Sequence, residues 1–267
     1  MNMILPTAAG FEELRAGTLG VRLAADADEV TAAQALRYAV FHDEMGARAD
    51  RVTRALRLDR DAYDAVADHL VVIDHAATHD ADRVVATYRL IRPEAAAQAG
   101  GFYSESEFDI APLRRGGRRL LELGRSCVHQ RHRGGRAMQL LWRGLAAYVA
   151  LHRIDLMFGC ASLPGTDVQA VAGLLAYLHR HHLAPETERP RALPARHLPM
   201  VRGDGTMGGL VALPPLLKGY LRLGGWVGDG AVVDRDFNTI DVAVVVRTDA
   251  ITQRYQRHYD RELRLVA

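Results

Sequence analysis

Arg119-Leu120-Leu121-Glu122-Leu123-Gly124-Arg125-Ser126-Cys127-Val128, followed by His129-Gln130-Arg131-His132-Arg133-Gly134-Gly135-Arg136, decides the fold. The stretch to Val128 reads as a strand with an acid and a base in an otherwise apolar run. The next residues form a Gly/Arg turn, and a helix follows from about Arg136 to His152. Upstream, Val21–Ala24 reads as a first strand. Asp26 or Asp28 then N-caps a helix through Phe41, with Val30, Ala33, Leu36 (or Arg37) and Val40 on one face. Residues 46–67 read as a loop with helical turns. His69–Asp74 and Arg83–Ile91 pair as a hairpin closed by Pro93. Gly100–Gly117 is a long irregular segment of the kind that commonly serves a function. Downstream come a strand at Asp155–Cys160, a helix capped by Pro164-Gly165-Thr166-Asp167 that runs to about His181, and a Pro/Gly-rich stretch over 184–230 with a helix near Leu213–Leu223. Strands at Ala231–Val233 and Asp241–Arg247 close the order. The sum predicts a mixed α/β (α+β) fold with a central sheet of about seven strands flanked by helices. The expected organisation is a lead-in over 1–18, one domain over 19–250 containing the 184–230 insertion, and a charged tail over 251–267.

The 267 residues are 49% hydrophobic and 25% charged, which excludes a disordered, fibrous or disulfide-scaffold chain. With 34 basic and 32 acidic residues the net charge is +2, so nothing points to nucleic acid. Lys218 is the only lysine; the other cations are arginines, which fork onto carboxylates and phosphates. Two cysteines, Cys127 and Cys160, are too few for a disulfide framework and suggest a reducing compartment. The N-terminus lacks a signal-peptide pattern, and no apolar run reaches the roughly 18 residues of a spanning helix. The expectation is a cytoplasmic protein that at most touches the inner face of the membrane.

Four constellations could carry chemistry. The turn at Arg131, Arg133, Gly134, Gly135 and Arg136 leaves orphan N–H groups at a helix N-terminus, so it reads as an anion or phosphate site or as a solvated basic turn. Glu122 and Arg125, with Ser126 beside them, form either a structural ion pair or a base next to a carboxylate-binding arginine. The two charges are three residues apart and point to opposite faces of a regular strand, so their cooperation requires a bulge. Asp59, Asp61, Asp64 and Asp68 are a solvated face or an acidic pocket for an ammonium group. His179, His181 and His182 follow Tyr177 and suit a helix C-terminus better than a metal, because no Cys or acid sits at ligand spacing. No metal is expected, and both cysteines read as core thiols.

The glycine turn between strand and helix, followed by a strand and a Tyr-bearing helix, resembles the GNAT superfamily of acyl-coenzyme A N-acyltransferases. Arg131-His-Arg-Gly134-Gly-Arg136 supplies two anchors of that superfamily's phosphate signature and puts Arg where Gly or Ala belongs. Arg37-Tyr-Ala-Val-Phe41, Asp59-x-Asp61-x-x-Asp64, Arg89-Leu90 and Glu122-Leu-Gly-Arg125 resemble the acyl-homoserine lactone synthases, in which the corresponding arginines, acids and Glu-x-x-Arg pair form the active site. The resemblance to bacterial ornithine N-acyltransferases of ornithine-lipid synthesis spans Val21 to Val246. It rests on Leu36–Phe41 with Glu44-Met45, Arg92-Pro-Glu94, Gly101–Asp109, Leu121–Val128, Leu140–Gly144, Phe158–Ser162, Pro164–Thr166, Tyr177–His179, Leu216–Tyr220 and Phe237–Thr239; Ile240 departs from it.

These resemblances imply a GNAT-like enzyme that forms an amide. The donor would be a 3-hydroxyacyl thioester on the 4′-phosphopantetheine of acyl carrier protein, and the acceptor the α-amine of ornithine or a similar amino acid, with no bound cofactor. They imply Glu122 as base, Tyr177 as the group that protonates the leaving thiolate, and a backbone N–H near Cys127 or Val128 at the oxyanion. Arg37, Asp59, Asp61, Asp64, Arg89, Arg125 and Ser126 would bind substrate, and Arg131, Arg133, Gly134, Gly135 and Arg136 the phosphopantetheine. Carrier-protein docking would use the arginines at 114, 115, 118, 119, 131, 133 and 136. The alternatives are a lactone synthase using S-adenosylmethionine, or a carrier- or lipid-binding module without turnover.

Overall fold

A computed structural model of the chain describes residues 11–79, 82–200 and 209–249. In chain order its elements are β1 (Leu14–Ala16), β2 (Leu19–Leu23), α1 (Ala27–Tyr38), α2 (Arg51–Leu56), β3 (Asp68–Asp74), β4 (Val84–Ile91), α3 (Pro93–Gln98), β5 (Phe108–Asp109), α4 (Ala111–Arg114), β6 (Leu120–Val128), α5 (Arg136–Leu151), β7 (Leu156–Pro164), α6 (Val168–His182), β8 (Arg191–Ala192), α7 (Gly209–Ala212), α8 (Pro215–Arg222), β9 (Trp226–Asp234) and β10 (Thr239–Arg247). The mixed α/β architecture is as expected, but the described residues form ten strands rather than about seven. The additional β1, β5 and β8 are two or three residues long, too short to show a period of two. β1 falls inside the presumed lead-in and β5 inside the segment read as irregular. The charged tail beyond 250 lies outside the described residues.

The chain forms two compact units. The first contains the residues through Tyr103, Glu122–Arg153 and Arg235–Asn238; the second contains Ser104–Leu121, Ile154–Asp234 and the residues from Thr239. In the first, β1, β2, β3, β4 and β6 pair antiparallel in that order. The two faces of β3 serve different helices because its side chains alternate. Val71 and Ile73 pack with Ala33, Leu36 and Val40 at the end of the first helix. Leu70 meets α5 at Gly144, where an added Cβ would stand 2.6 Å from Val21 Cγ2 and 3.2 Å from Leu70 Cδ1. Glycine is what allows this close approach. In α1, Asp26 accepts from the Glu29 N–H at 2.9 Å as N-cap, and the helix runs on into a π-turn at Ala39–Glu44.

In the second unit β7, β10 and β9 are antiparallel neighbours; β8 runs parallel to β9 and antiparallel to β5. α6 packs on β9, and α8 on β7 and β10. Asp167 caps α6, accepting from the Gln169 N–H at 2.9 Å. Among the described residues, no helix is long and apolar enough to cross a membrane.

Candidate active site

The strand that decides the fold also shapes the site. Along the β4–β6 pairing, Thr87 faces Cys127 and Arg89 faces Gly124, so Arg125 and Ser126 together oppose one residue. This is the bulge that the Glu122–Arg125 spacing required. Arg125 adopts φ 50°, a left-handed backbone costing roughly 1–2 kcal/mol for a residue with a Cβ.

Arg125 joins a buried network. Arg37, fully buried on the last turn of α1, donates from Nη1 and Nη2 to Asp64 at 2.9 and 2.8 Å and from Nη2 to the Asp59 carbonyl, and its Nε lies 2.9 Å from Asp59 Oδ2. Arg89 on β4 bonds Asp61 Oδ1 at 2.6 Å and Asp64 Oδ1 at 3.3 Å. Arg125 reaches Asp59 Oδ2 at 3.2 Å and Asp61 Oδ2 at 3.3 Å. Asp61 also caps the short helical turn that follows, Ala62–Ala65, in a reciprocal capping box with Asp64. Burial alone would raise the Asp64 pKa, but Arg37 and then Arg89 carry it well below the usual carboxylate range. The acids at 59, 61 and 64 are therefore matched by the arginines at 37, 89 and 125 rather than forming a solvated face. Asp68 is not part of this network: it accepts from Tyr148 Oη at 2.5 Å and lies 3.4 Å from Arg92.

Glu122, 2% exposed, accepts a hydrogen bond from the Tyr103 N–H at 2.8 Å. The Arg125 guanidinium lies 4.8 Å from the Tyr103 ring and 4.4 Å from Phe237, and Tyr103 packs edge-on to Tyr63. Tyr103 thus links Glu122 to Arg125. Sequence reasoning missed Tyr103, Tyr63 and Phe237. It also missed His69, whose imidazole lies 3.0 Å from the Asp64 carbonyl and whose pKa burial lowers, and His42, 4.0 Å from Asp59. Aromatic residues near the motifs were the available signal. Ser126 Oγ is buried with no hydrogen-bond partner among the described residues. Burial pushes the Cys127 thiol up to about 12, so it is a neutral core thiol at ordinary pH.

The Gly/Arg turn precedes α5 as expected. Gly135, with φ 103°, occupies the helix N-cap, and the space beside its Cα is open. Arg133 is spoken for: it pairs with Glu44 at 2.5 Å and donates to the Val128 carbonyl at 3.0 Å. Arg131 and Arg136 form no ion pair among the described residues. Of the other arginines in the presumed docking patch, Arg114, Arg118 and Arg119 pair with Glu105, Glu188 and Asp155. These pairs use charge the patch was expected to present.

In the second unit, Tyr177 lies on α6 with the His181 and His182 rings 4.9 and 5.5 Å away, and His179 sits 3.9 Å from Asp229. The three ligand atoms among the described residues that converge within 4.8 Å belong instead to Glu107, Cys160 and Asp241. The sequence hid that trio because its members lie on three separate segments.

Residues 36–143 match the family described as acetyltransferase (GNAT) domain. The chain is 50% identical over 246 residues to an L-ornithine N(alpha)-acyltransferase of Rhodobacter capsulatus, covering 91% of this chain and 95% of that one. It is 47% identical over 255 residues to an L-ornithine N(alpha)-acyltransferase of Agrobacterium fabrum, covering 93% and 87%. Among solved structures, an N-acyl amino acid synthase from uncultured soil microbes superposes with a TM-score of 0.46 at 12% identity, covering 86% of this chain and 90% of that one.

Proposed function

Because the chain belongs to the L-ornithine N(alpha)-acyltransferase family, we propose that it moves an acyl chain from a thioester to the α-amine of ornithine, forming an amide. The observation that carries this reading is 50% identity over 91% of the chain. The buried Glu122 and the arginine–aspartate network beside it supply groups suited to the chemistry.

The acceptor amine is mostly protonated at neutral pH, with a reference pKa of about 8, so reaction starts with loss of a proton. Glu122 takes it, directly or through a water. The amine lone pair adds to the thioester carbonyl, and a backbone N–H near Cys127 or Val128 holds the oxyanion. The C–S bond then breaks, the nitrogen gives up its second proton and the departing thiolate takes one up, leaving a neutral amide and a free thiol, while Glu122 releases the first proton to solvent. Asp61 is the most exposed acid of the network, at 27%, and meets the substrate ammonium; Arg125 meets the substrate carboxylate. Arg37, Asp59, Asp64 and Arg89 hold these two in place.

The donor in this reading is a 3-hydroxyacyl chain on the phosphopantetheine of acyl carrier protein. Arg136 in place of a small residue supports it, as do Arg131 and Arg136, which form no ion pair among the described residues, beside the open Gly134 and Gly135, which suit a phosphate. Mass spectrometry of a reaction containing the chain, 3-hydroxyacyl carrier protein and ornithine should show acyl-ornithine with one free thiol per amide. Lactone and methylthioadenosine in the presence of S-adenosylmethionine, or no thiol release, would overturn the reading. For the donor, kcat/KM should favour the carrier protein over coenzyme A and fall with salt; equal use of coenzyme A without salt dependence would overturn that part alone.

A further inference from the structure

The segment from Met45 to Arg60 in the first unit presents an unusual surface. α2 has no buried residue. Among the described residues, three of the five exposed large hydrophobic side chains fall in this segment: Met45 at 39%, Val52 at 54% and Leu56 at 47%. Val52 and Leu56 are four residues apart and share a side of the helix. Between and around them stand Arg48, Arg51, Arg54, Arg57 and Arg60. The neighbouring acids are engaged: Asp43 pairs with Arg57 and Glu44 with Arg133, each at 2.5 Å, and Asp50 caps α2 through the Thr53 N–H at 2.7 Å. Arg48, Arg51 and Arg54 form no ion pair among the described residues. The backbone is anchored while the side chains stay outside, since the Arg48 N–H donates to the Asp236 carbonyl at 2.6 Å and Asn238 Nδ2 to the Met45 carbonyl at 3.3 Å.

We infer that this segment is a docking surface for an anionic lipid bilayer. Its apolar side chains enter the boundary between headgroups and acyl chains, and its arginines meet lipid phosphates. A short exposed element mixing arginine with Met, Val and Leu has the chemistry of an interfacial contact. A protein partner is a poorer fit, because a stable protein interface needs about 800 Å² on each side, and a six-residue helix with a few flanking side chains does not offer it. Lipid contacts accumulate residue by residue, each basic side chain strengthening partition about fivefold. The inference rests on the acyltransferase reading in one respect: the acyl-amino-acid product is an amphiphile, and a bilayer is where it would leave the enzyme.

The test is co-sedimentation of the full chain with vesicles of phosphatidylglycerol and phosphatidylcholine, compared with phosphatidylcholine alone, at low and high salt. Binding should require the anionic lipid and weaken with salt. Arg51→Gln with Arg54→Gln should lower partition by roughly 30-fold. Val52→Ser with Leu56→Ser should lower it at every salt concentration. Because α2 buries no residue, both double variants should keep their circular dichroism spectrum, melting temperature and vesicle-free acylation of ornithine. Failure to bind anionic vesicles, equal binding to neutral ones, or binding unaffected in both variants overturns the inference. So does loss of acyl carrier protein affinity in the variants with vesicle binding intact, which would give the surface to the carrier. Vesicle binding by a chain that does not acylate ornithine would sink the acyltransferase reading and leave the surface standing; normal acylation without vesicle binding would do the reverse.

Discussion

Replacing Glu107 by glutamine should stabilise the fold at about pH 8 and change it little at about pH 4. Glu107 is buried in the second unit, 3.4 Å from Cys160 Sγ and 3.3 Å from Arg196. Burial, reinforced by Asp241, pushes its carboxyl up to about 7 from 4.5. In the unfolded chain the group returns to its ordinary value. Between these two pH values the folded protein keeps a proton that the unfolded chain has released, so the contribution is fully present below about pH 4.5 and is lost as pH rises through about 7. An interval of about 2.5 units at roughly 1.4 kcal/mol each gives about 3 kcal/mol. Glutamine is neutral throughout and escapes that loss. It gives up the pair with partly exposed Arg196, worth at most about 1 kcal/mol. The net gain near pH 8 is then about 2 kcal/mol, or roughly 4–8 °C in Tm for a chain of this size. Urea unfolding of wild type and variant across this pH range measures it directly. Parallel stability–pH curves for the two proteins would refute the argument, because they would show that Glu107 does not keep its proton on folding.

Three further outcomes are expected. Glu122→Gln should fold normally, since an amide oxygen can still accept from the Tyr103 N–H, and should lose about 10²–10⁴-fold in turnover; near-wild-type turnover with an unshifted pH profile would remove Glu122 from the proton step. Arg37→Lys keeps the charge but not the paired bonds to Asp64, so it should cost roughly 2–3 kcal/mol by chemical denaturation and most of the activity; a variant as stable and active as wild type would show that the fork geometry is dispensable. Treatment with a chelator should leave turnover and Tm unchanged, because amide formation from a thioester needs no Lewis acid; a drop in Tm reversed by zinc would point to Glu107, Cys160 and Asp241.

What the sequence revealed depended on how locally each feature is encoded. The hairpin of β3 and β4 was legible because two short, largely apolar runs rich in β-branched residues stand between polar turns, and α5 because a 3.6-residue period follows a glycine turn. The strands β1, β5 and β8 owe their pairing to neighbours, which no window of two or three residues contains. The acids at 59, 61 and 64 were conspicuous, but their arginines arrive from α1, β4 and β6, and no spacing rule connects segments so far apart. The bulge at Arg125 was different: charges three residues apart point to opposite faces of a regular strand, so the cooperation of Glu122 and Arg125 requires an extra residue between them.

That bulge also bears on how the gene could drift or be engineered. Glycine or asparagine would relax the left-handed backbone at position 125, so a library selected for heat tolerance alone should enrich them there. Enrichment would remove the guanidinium that contacts Asp59, Asp61, Tyr103 and Phe237. On the proposed role of Arg125 in binding substrate, selection for turnover should keep arginine there and selection for heat tolerance alone should replace it; the same residue emerging from both selections would refute this.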